Sequence, residues 1–151
     1  MAGIVDPNTL ITSISNIISQ KKQVDAPFID LTLKKLFRVK SRGELDFGGS
    51  EFKPSHLEPC IPVKHQPEDA YGWWELHEGY YLLEYNEQFN LSDCQMAWVQ
   101  PHPHLLACGC FHPTIQVKQI DQNVKVPFWV PKIGVRIKQN ARISRILIIE
   151  F

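Results

Sequence analysis

Residues 29–39 carry the clearest β-strand pattern of the chain, with the sequence IDLTLKKLFRV. Ile29, Leu31 and Leu33 alternate with polar residues, so one face of the strand is apolar and suited to packing on a core. Further along, short apolar segments recur between many of the 11 prolines and 8 glycines. This spacing is typical of a sandwich or a barrel and predicts a mostly β domain.

The remaining strands follow the same criteria. We expect them at residues 74–76, 80–85, 95–99, 115–120, 124–130, 135–137 and 142–149. Residues 51–72 contain four prolines, which predicts an irregular connection with at most one short edge strand. Asp121, Gln122 and Asn123 separate two alternating runs, and we expect a hairpin turn there.

One helix is predicted near the N-terminus, over about residues 6–22. Asp6 is a good N-cap, and Pro7 suits the first helical turn. The apolar residues of this segment recur with a period near 3.6; they are Leu10, Ile11, Ile14, Ile17 and Ile18. The sequence therefore predicts a single domain over residues 1–151, with this helix followed by a β domain over about residues 26–151.

The charge balance excludes several classes of protein. Lys plus Arg and Asp plus Glu both number 16, so the formal net charge is zero and no overall field attracts nucleic acid or anionic lipid. The longest apolar runs, such as residues 146–149, are far shorter than the roughly 20 residues of a membrane-spanning helix. Residues 1–7 lack the basic start and apolar stretch of a signal peptide. We expect a cytoplasmic protein without nucleic-acid or membrane partners.

Several stretches, in their order along the chain, resemble the dUTPase and dCTP deaminase superfamily, particularly its archaeal, trimeric dUTPase-like members. They are APFIDLTL at 26–33, Phe37-Arg38, GELDF at 43–47, GYYLLEYNE at 79–87, PHPHLL at 101–106 with Gly109 and His112, GVRI at 134–137 and NARI at 140–143. The last is the most specific, because it resembles a closing-strand consensus written GARIAQ. The predicted N-terminal helix is similar to that of the deaminase branch.

The resemblance implies a β-clip fold, a distorted barrel or sandwich, assembled as a homotrimer with its sites between subunits. It also implies a deoxyribonucleotide ligand and, in an active member, Mg²⁺. The positions that it assigns to nucleotide contact are Asp30, His102, His104, His112 and Arg142.

The residues for phosphate binding depart from the family pattern. Members of the family carry PRSSL where this chain has PHPHL at 101–105, so His102, Pro103 and His104 replace Arg-Ser-Ser. Proline has no backbone N–H, and an imidazole of ordinary pKa is mostly neutral at pH 7, so the affinity of this segment for phosphate is reduced.

The residues expected to activate water and to cover the triphosphate also differ from the family pattern. Family dUTPases follow a catalytic aspartate with glycine and tyrosine. Only Asp121 is available here, and an Asx turn is the simpler explanation of it. The deaminase branch needs a glutamate that residues 124–130 do not supply. The printed sequence ends at Phe151, directly after the last predicted strand, where family members continue into an arm that covers the triphosphate. These departures predict a divergent member with degenerate catalytic motifs.

Residues 102–112 concentrate five ligands that soft metals prefer: His102, His104, Cys108, Cys110 and His112. In an extended strand Cys108, Cys110 and His112 would point the same way and could hold a transition metal. Histidines near the threefold axis of a trimer could also meet their symmetry mates. The alternative is that both cysteines are small core residues and that His102 and His104 are solvated loop residues.

The leading hypothesis is a dUTPase-like homotrimer that lacks standard catalysis and acts as a binding, regulatory or structural protein. The alternative is a divergent deoxyribonucleotide triphosphate hydrolase or deaminase that uses His102, His104, His112 and Asp121, with a transition metal or Mg²⁺ as cofactor. A third hypothesis is a mixed trimer with an intact paralogue. The sequence does not select the nucleotide.

Overall fold

The computed structural model describes residues 2–151, and this range holds thirteen β-strands, three short α-helices and one 3₁₀ turn. In chain order they are β1 (Gly3–Ile4), α1 (Pro7–Leu10), the 3₁₀ turn (Ile11–Ser13), α2 (Gln20–Gln23), β2 (Val24–Asp25), β3 (Phe28–Val39), β4 (Leu57–Cys60), β5 (Trp73–Leu76), β6 (Gly79–Tyr85), β7 (Phe89–Asn90), β8 (Gln95–Pro101), α3 (Pro103–Ala107), β9 (Ile115–Val117), β10 (Gln119–Ile120), β11 (Val126–Val130), β12 (Val135–Lys138) and β13 (Arg142–Glu150).

A single antiparallel sheet organises the chain. Its strand order is β11, β6, β3, β13, β8 and β9; β1 extends it on β13, and β2 and β4 pair with β3. Two separate ribbons, β5 with β12 and β7 with β10, complete the arrangement. The predicted mostly β fold is confirmed.

Strand β3 lies at the centre of the sheet and changes partner along its length. Residues 29–32 pair with β13, and residues 33–38 pair with β6 across a register shift between Leu33 and Lys35. Such a bulge adds one residue and bends the strand, so one long strand serves both halves of the curled sheet. In its first half even the polar Asp30 and Thr32 are buried. This half of β3 is therefore buried on both faces.

The other predicted strands are confirmed, with ends that shift by one or two residues. The strand expected at 115–120 is split into β9 and β10 at Lys118. Within residues 51–72, β4 is the one named strand, as expected. The turn at Asp121 forms, because Asp121 Oδ1 accepts the Asn123 N–H at 2.8 Å. It is not a hairpin turn, since β10 pairs with β7 while β11 pairs with β6.

The prediction of one continuous helix over residues 6–22 is wrong. Asp6 caps α1 as expected, but α1 ends at Leu10, and Asn16 adopts a positive φ of 66°. Ser15 forms a β-bridge to Gln88, and residues 12–16 include Thr, Ser and Asn, which are poor helix formers. The long-range pairing of Ser15 with Gln88 thus takes the place of helix in the middle of the predicted segment.

A second turn of helix follows at α2, which Ser19 caps. Nearby, the buried Gln23 side chain accepts the backbone N–H groups of Ile18 and Ser19. Within residues 2–151 no helix is long and apolar enough to cross a membrane. The predicted cytoplasmic location stays a prediction.

Candidate functional site

Asp30 is the centre of a charged cluster that the sheet builds. The register of β3 and β13 sets Arg145 directly opposite Asp30. Asp30 Oδ1 accepts from Arg145 Nε at 3.2 Å and from Nη2 at 3.1 Å. Arg142 Nη1 lies 3.3 Å from Asp30 Oδ2. Because the Asp30 side chain is fully buried, its negative charge is stable only with such partners.

His102 completes the cluster from the start of α3. Its Nδ1 accepts the backbone N–H of His104 at 3.0 Å, so His102 acts as the N-cap of that helix. The other ring nitrogen, Nε2, lies 3.2 Å from Asp30 Oδ2. Since Nδ1 is an acceptor, we assign the proton to Nε2, which donates to Asp30. Burial lowers the pKa of His102, and Asp30 opposes this shift.

A second buried carboxylate, Glu87, lies beside this cluster. Glu87 Oε1 accepts the Thr32 N–H at 2.7 Å, and Oε2 lies 2.5 Å from Thr32 Oγ1 and 2.9 Å from Gln23 Nε2. The same Gln23 amide donates to the Asp30 carbonyl. Burial raises the pKa of Glu87. These bonds join the N-terminal segment to β3 and leave Glu87 inaccessible to a ligand.

A third polar group is a chain of hydrogen bonds through Tyr85, Ser144 and His112. Tyr85 Oη lies 2.6 Å from Ser144 Oγ, which lies 2.7 Å from His112 Nε2. His112 Nδ1 lies 2.8 Å from the Pro113 carbonyl, which can only accept, so we assign the donor proton to Nδ1. Ser144 Oγ–H then donates to Nε2, and Tyr85 donates to Ser144.

This chain has the pairing of a nucleophile with a base, yet Ser144 is fully buried and His112 and Tyr85 are 3% and 2% exposed. No reactant can reach Ser144 in this arrangement. Burial also lowers the pKa of His112. The group therefore stabilises the core by satisfying the polar atoms of these buried side chains.

A cavity of about 230 Å³ adjoins the charged cluster. His104, Cys108 and Arg142, all singled out from the sequence, contribute to its lining. Its other lining residues are apolar or cationic, and no Asp or Glu of residues 2–151 is among them. The cavity therefore suits an anion better than a cation.

The five predicted metal ligands do not converge in one chain. The segment after His102 is helical and Gly109 has a positive φ of 76°, so the extended strand expected here is wrong. Cys110 is buried, but Cys108 is exposed. Among residues 2–151, no group of three His, Cys, Asp or Glu side chains is placed to hold a metal ion. The metal site stays a prediction that needs ligands from more than one chain.

The alternative interpretation, core cysteines with solvated histidines, holds for one cysteine and one histidine. Cys110 is a core residue, as expected, whereas Cys108 is not. His104 is solvated, but His102 is buried and bonded to Asp30. The rings of His102 and His104 meet edge to face with their centroids 4.6 Å apart.

Asp121 lies apart from the charged cluster within one chain. It contributes to a different cavity with Ser13, Ser15 and Gln88. Its carboxylate accepts from Asn123 in the Asx turn. Its role as a catalytic base stays a prediction.

Sequence reasoning missed Arg145 and Glu87, which bind Asp30 and its neighbour Thr32. A signal for Arg145 was present, because a charged residue interrupts the apolar pattern of the last predicted strand. Glu87 gave no such signal, since a glutamate after a predicted strand ordinarily faces solvent.

Comparisons with known proteins agree with this fold. No family model matches the chain. A probable deoxyuridine 5'-triphosphate nucleotidohydrolase of Methanosarcina mazei is 27% identical over 140 residues, covering 89% of this chain and 76% of that protein. Its counterpart from Methanosarcina acetivorans is 26% identical over 139 residues, with the same coverage.

Among solved structures, the 2'-deoxycytidine 5'-triphosphate deaminase from Agrobacterium tumefaciens matches 99% of this chain with a TM-score of 0.63 and 13% identity. The chain spans about half of that deaminase, 49% of its length. This likeness confirms the expected β-clip fold.

Proposed function

The chain belongs to the dUTPase and dCTP deaminase superfamily, and on this premise we propose that it lacks standard hydrolysis and deamination and acts as a binding, regulatory or structural homotrimer. The names of its relatives, probable deoxyuridine 5'-triphosphate nucleotidohydrolases, support a role in nucleotide metabolism. The proposed loss of catalysis is supported by the contacts of Asp30 and of residues 102–105.

The lack of an available carboxylate at the cavity carries the proposal: no Asp or Glu of residues 2–151 lines it, Asp121 lines a different cavity, and the buried Asp30 beside it is already bonded. To activate water, a carboxylate must accept a proton from a reactant within hydrogen-bond reach. Asp30 is fully buried and is bonded to two arginines and to His102. Both carboxylate oxygens already have partners inside the protein, and the side chain has no contact with solvent.

The backbone N–H groups of the segment that would bind phosphate already have hydrogen-bond partners within the chain. Pro103 has no N–H, the His104 N–H donates to His102 Nδ1, and the Leu105 N–H donates to the His102 carbonyl. A phosphate at this turn would find no backbone donor at residues 103–105 that is free of an internal partner. This supports the loss of the triphosphate geometry that catalysis requires.

The alternative of a divergent hydrolase or deaminase requires a further carboxylate. No Asp or Glu of the described chain lines the cavity beside Asp30, so Asp121 would have to reach it from another copy. Metal content separates the two hypotheses: stoichiometric zinc or iron that is lost in His104→Ala and Cys108→Ala favours the enzyme.

The test combines calorimetric titration with product analysis, using dUTP and dCTP with and without Mg²⁺. We expect neither pyrophosphate nor deaminated product above the uncatalysed background. Binding in the micromolar range accompanied by turnover in Mg²⁺ would overturn the proposal. Sedimentation velocity on the same sample tests the homotrimer, and a monomeric species would contradict it.

A further inference from the structure

The outer side of the half-sheet formed by β3, β6 and β11 is apolar. The strand register places Leu82 between Phe37 and Pro127, and it sets Tyr80 opposite Trp129. Because alternate residues of a strand point to opposite sides of a sheet, these side chains lie on one side together. We call this surface the outer face; it consists of Phe37, Tyr80, Leu82, Pro127 and Trp129.

The half-sheet is therefore apolar on both sides. Its inner side is packed, since Leu36, Leu83 and Phe128 are buried in the core, whereas antiparallel sheets commonly have one polar, solvated side. On the outer face Tyr80 is 69% exposed. The half-exposed Phe111 extends this surface, with its ring centroid 5.3 Å from that of Trp129. Contiguous exposed apolar surface of this kind marks an interaction site.

Positive charge predominates at one end of the outer face. Lys34 and Lys125 share a single carboxylate, that of Glu84, at 3.9 and 2.8 Å. Lys35 pairs with Glu84 in the strand register and is exposed, with no carboxylate within salt-bridge distance among residues 2–151. Three cations thus accompany one buried acid, which favours an acidic partner.

Beyond the sheet, β3 and β4 are joined by a hairpin arm, residues 40–56. Glu44 and Lys53 exchange backbone hydrogen bonds across it, at 2.8 and 3.0 Å. Within its tip, residues 44–52, the Asp46 carboxylate accepts two backbone N–H groups, at 3.1 and 2.9 Å. The arm is therefore ordered before any partner binds, which lowers the entropic cost of docking.

The tip of the arm presents apolar side chains to solvent. Phe47 is 108% exposed and Leu45 is 89% exposed, so both make almost no contact within their own chain. Residues 44–52 also contain three acids and no Lys, Arg or His. The tip is thus apolar and acidic, and it complements the outer face in both respects.

We propose that the hairpin tip of one chain docks on the outer face of a second copy, with Phe47 against the apolar residues and the acids of the tip beside Lys35. Because the tip and the outer face are different patches, the contact is heterologous and repeats from copy to copy until a ring closes. The number of copies rests on the proposed homotrimer. The contact itself rests on the match of charge and apolar surface.

The first test is sedimentation velocity of the full chain over roughly 1–100 μM. Leu45→Ser/Phe47→Ser removes the apolar tip, and Tyr80→Ser reduces the outer face. We expect each variant to raise the dissociation constant of the assembly at least about tenfold. The matched control is Ile4→Ser, which alters a side chain that is 59% exposed on β1, in the other half of the sheet, and should change nothing.

A charge exchange tests the orientation of the contact. Glu51→Lys and Lys35→Glu should each weaken assembly, because each sets like charges against one another across the contact. The double variant restores opposite charges and should assemble more tightly than either single variant. Both side chains are exposed, and circular dichroism checks that every variant folds.

Wild-type assembly of the tip variant or of Tyr80→Ser overturns the contact, and so does a double charge variant that assembles no better than the single ones. These results would leave a homotrimer held by other surfaces. A monomeric wild type would contradict the homotrimer and the contact together. Turnover of dUTP bears on the proposed loss of catalysis alone, so the failures are distinguishable.

Discussion

His102 Nε2 lies 3.2 Å from Asp30 Oδ2, and both side chains are almost completely buried. This contact ties α3 to the central strand, and the backbone N–H of His102 reinforces it by donating to the Ile143 carbonyl in β13 at 3.0 Å. The residues that the family resemblance assigns to a nucleotide thus hold three elements of the fold together.

Replacement of Asp30 should strongly destabilise the protein. Asp30→Asn leaves Arg145, whose side chain is 13% exposed, with only the exposed Asp25 as a counter-charge, and breaking a buried pair typically costs about 3–5 kcal/mol. Urea unfolding followed by fluorescence measures the loss. The control is Asp25→Asn, because Asp25 contacts the same arginine at 3.5 Å but is 70% exposed, and it should cost less than about 1 kcal/mol. Equal losses in the two variants would contradict the buried pairing.

Tyr85 and Ser144 should be energetically coupled. Ser144→Ala removes the partner of both Tyr85 Oη and His112 Nε2, and each unsatisfied buried group costs about 1–3 kcal/mol. Tyr85→Phe should therefore cost clearly less in the Ser144→Ala background than in the wild type. Free energies of unfolding for the two single variants and the double variant test this coupling, and simple additivity would argue against the hydrogen-bond chain.

Glu87 should make stability depend on pH in a defined direction. Burial raises its folded pKa above the ordinary value of 4.5, so the folded state keeps the proton when the unfolded state has lost it. The contribution of Glu87 to stability is thus complete below about pH 4.5 and declines as the pH rises through the folded pKa. Glu87→Gln has no ionisable side chain at this position, so its stability lacks this contribution to the pH dependence.

The measurement is the free energy of unfolding of the wild type minus that of Glu87→Gln, from about pH 4 to pH 8. We expect the difference to shift against the wild type as the pH rises above about 4.5, and to become constant above the folded pKa of Glu87. A difference that is constant, or that shifts toward the wild type, would show that the pKa of Glu87 is not raised.

The cysteines should differ sharply in reactivity. Cys94 and Cys108 are exposed, whereas Cys110 is buried and burial raises its pKa to about 11. Since the thiolate is the reactive form, a thiol reagent at pH 7.5 should modify Cys94 and Cys108 rapidly and Cys110 only on unfolding. Mass spectrometry of peptides after timed labelling locates the modified residues. Fast labelling of Cys110 in the folded protein would contradict its position in the core.

The sequence predicted the strands well because the alternation of residues such as Ile29, Leu31 and Leu33 reports burial directly. It failed at residues 6–22, where the apolar period of a helix was present but a β-bridge from Ser15 to Gln88 decided the backbone. The bridge itself could not be predicted locally, although the poor helix formers at residues 12–16 weakened the case for a continuous helix.

At the candidate site, too, the sequence predicted some features correctly and missed those that depend on long-range pairing. The sequence selected Asp30, His102 and Arg142, which the structure brings together. It did not show that Asp30 is paired, because the contact with Arg145 depends on the register of β3 against β13. One of its alternatives left His102 solvated, whereas the structure buries it as the N-cap of α3 beside Asp30.

The most direct test of the central claim is a ³¹P NMR spectrum of dUTP incubated with an equimolar amount of the protein and excess Mg²⁺. If no carboxylate is available to activate water at the cavity beside Asp30, the three triphosphate resonances should persist unchanged over hours, with no pyrophosphate signal. Appearance of dUMP and pyrophosphate, lost on Asp121→Asn, would show that the chain hydrolyses dUTP and would contradict the account.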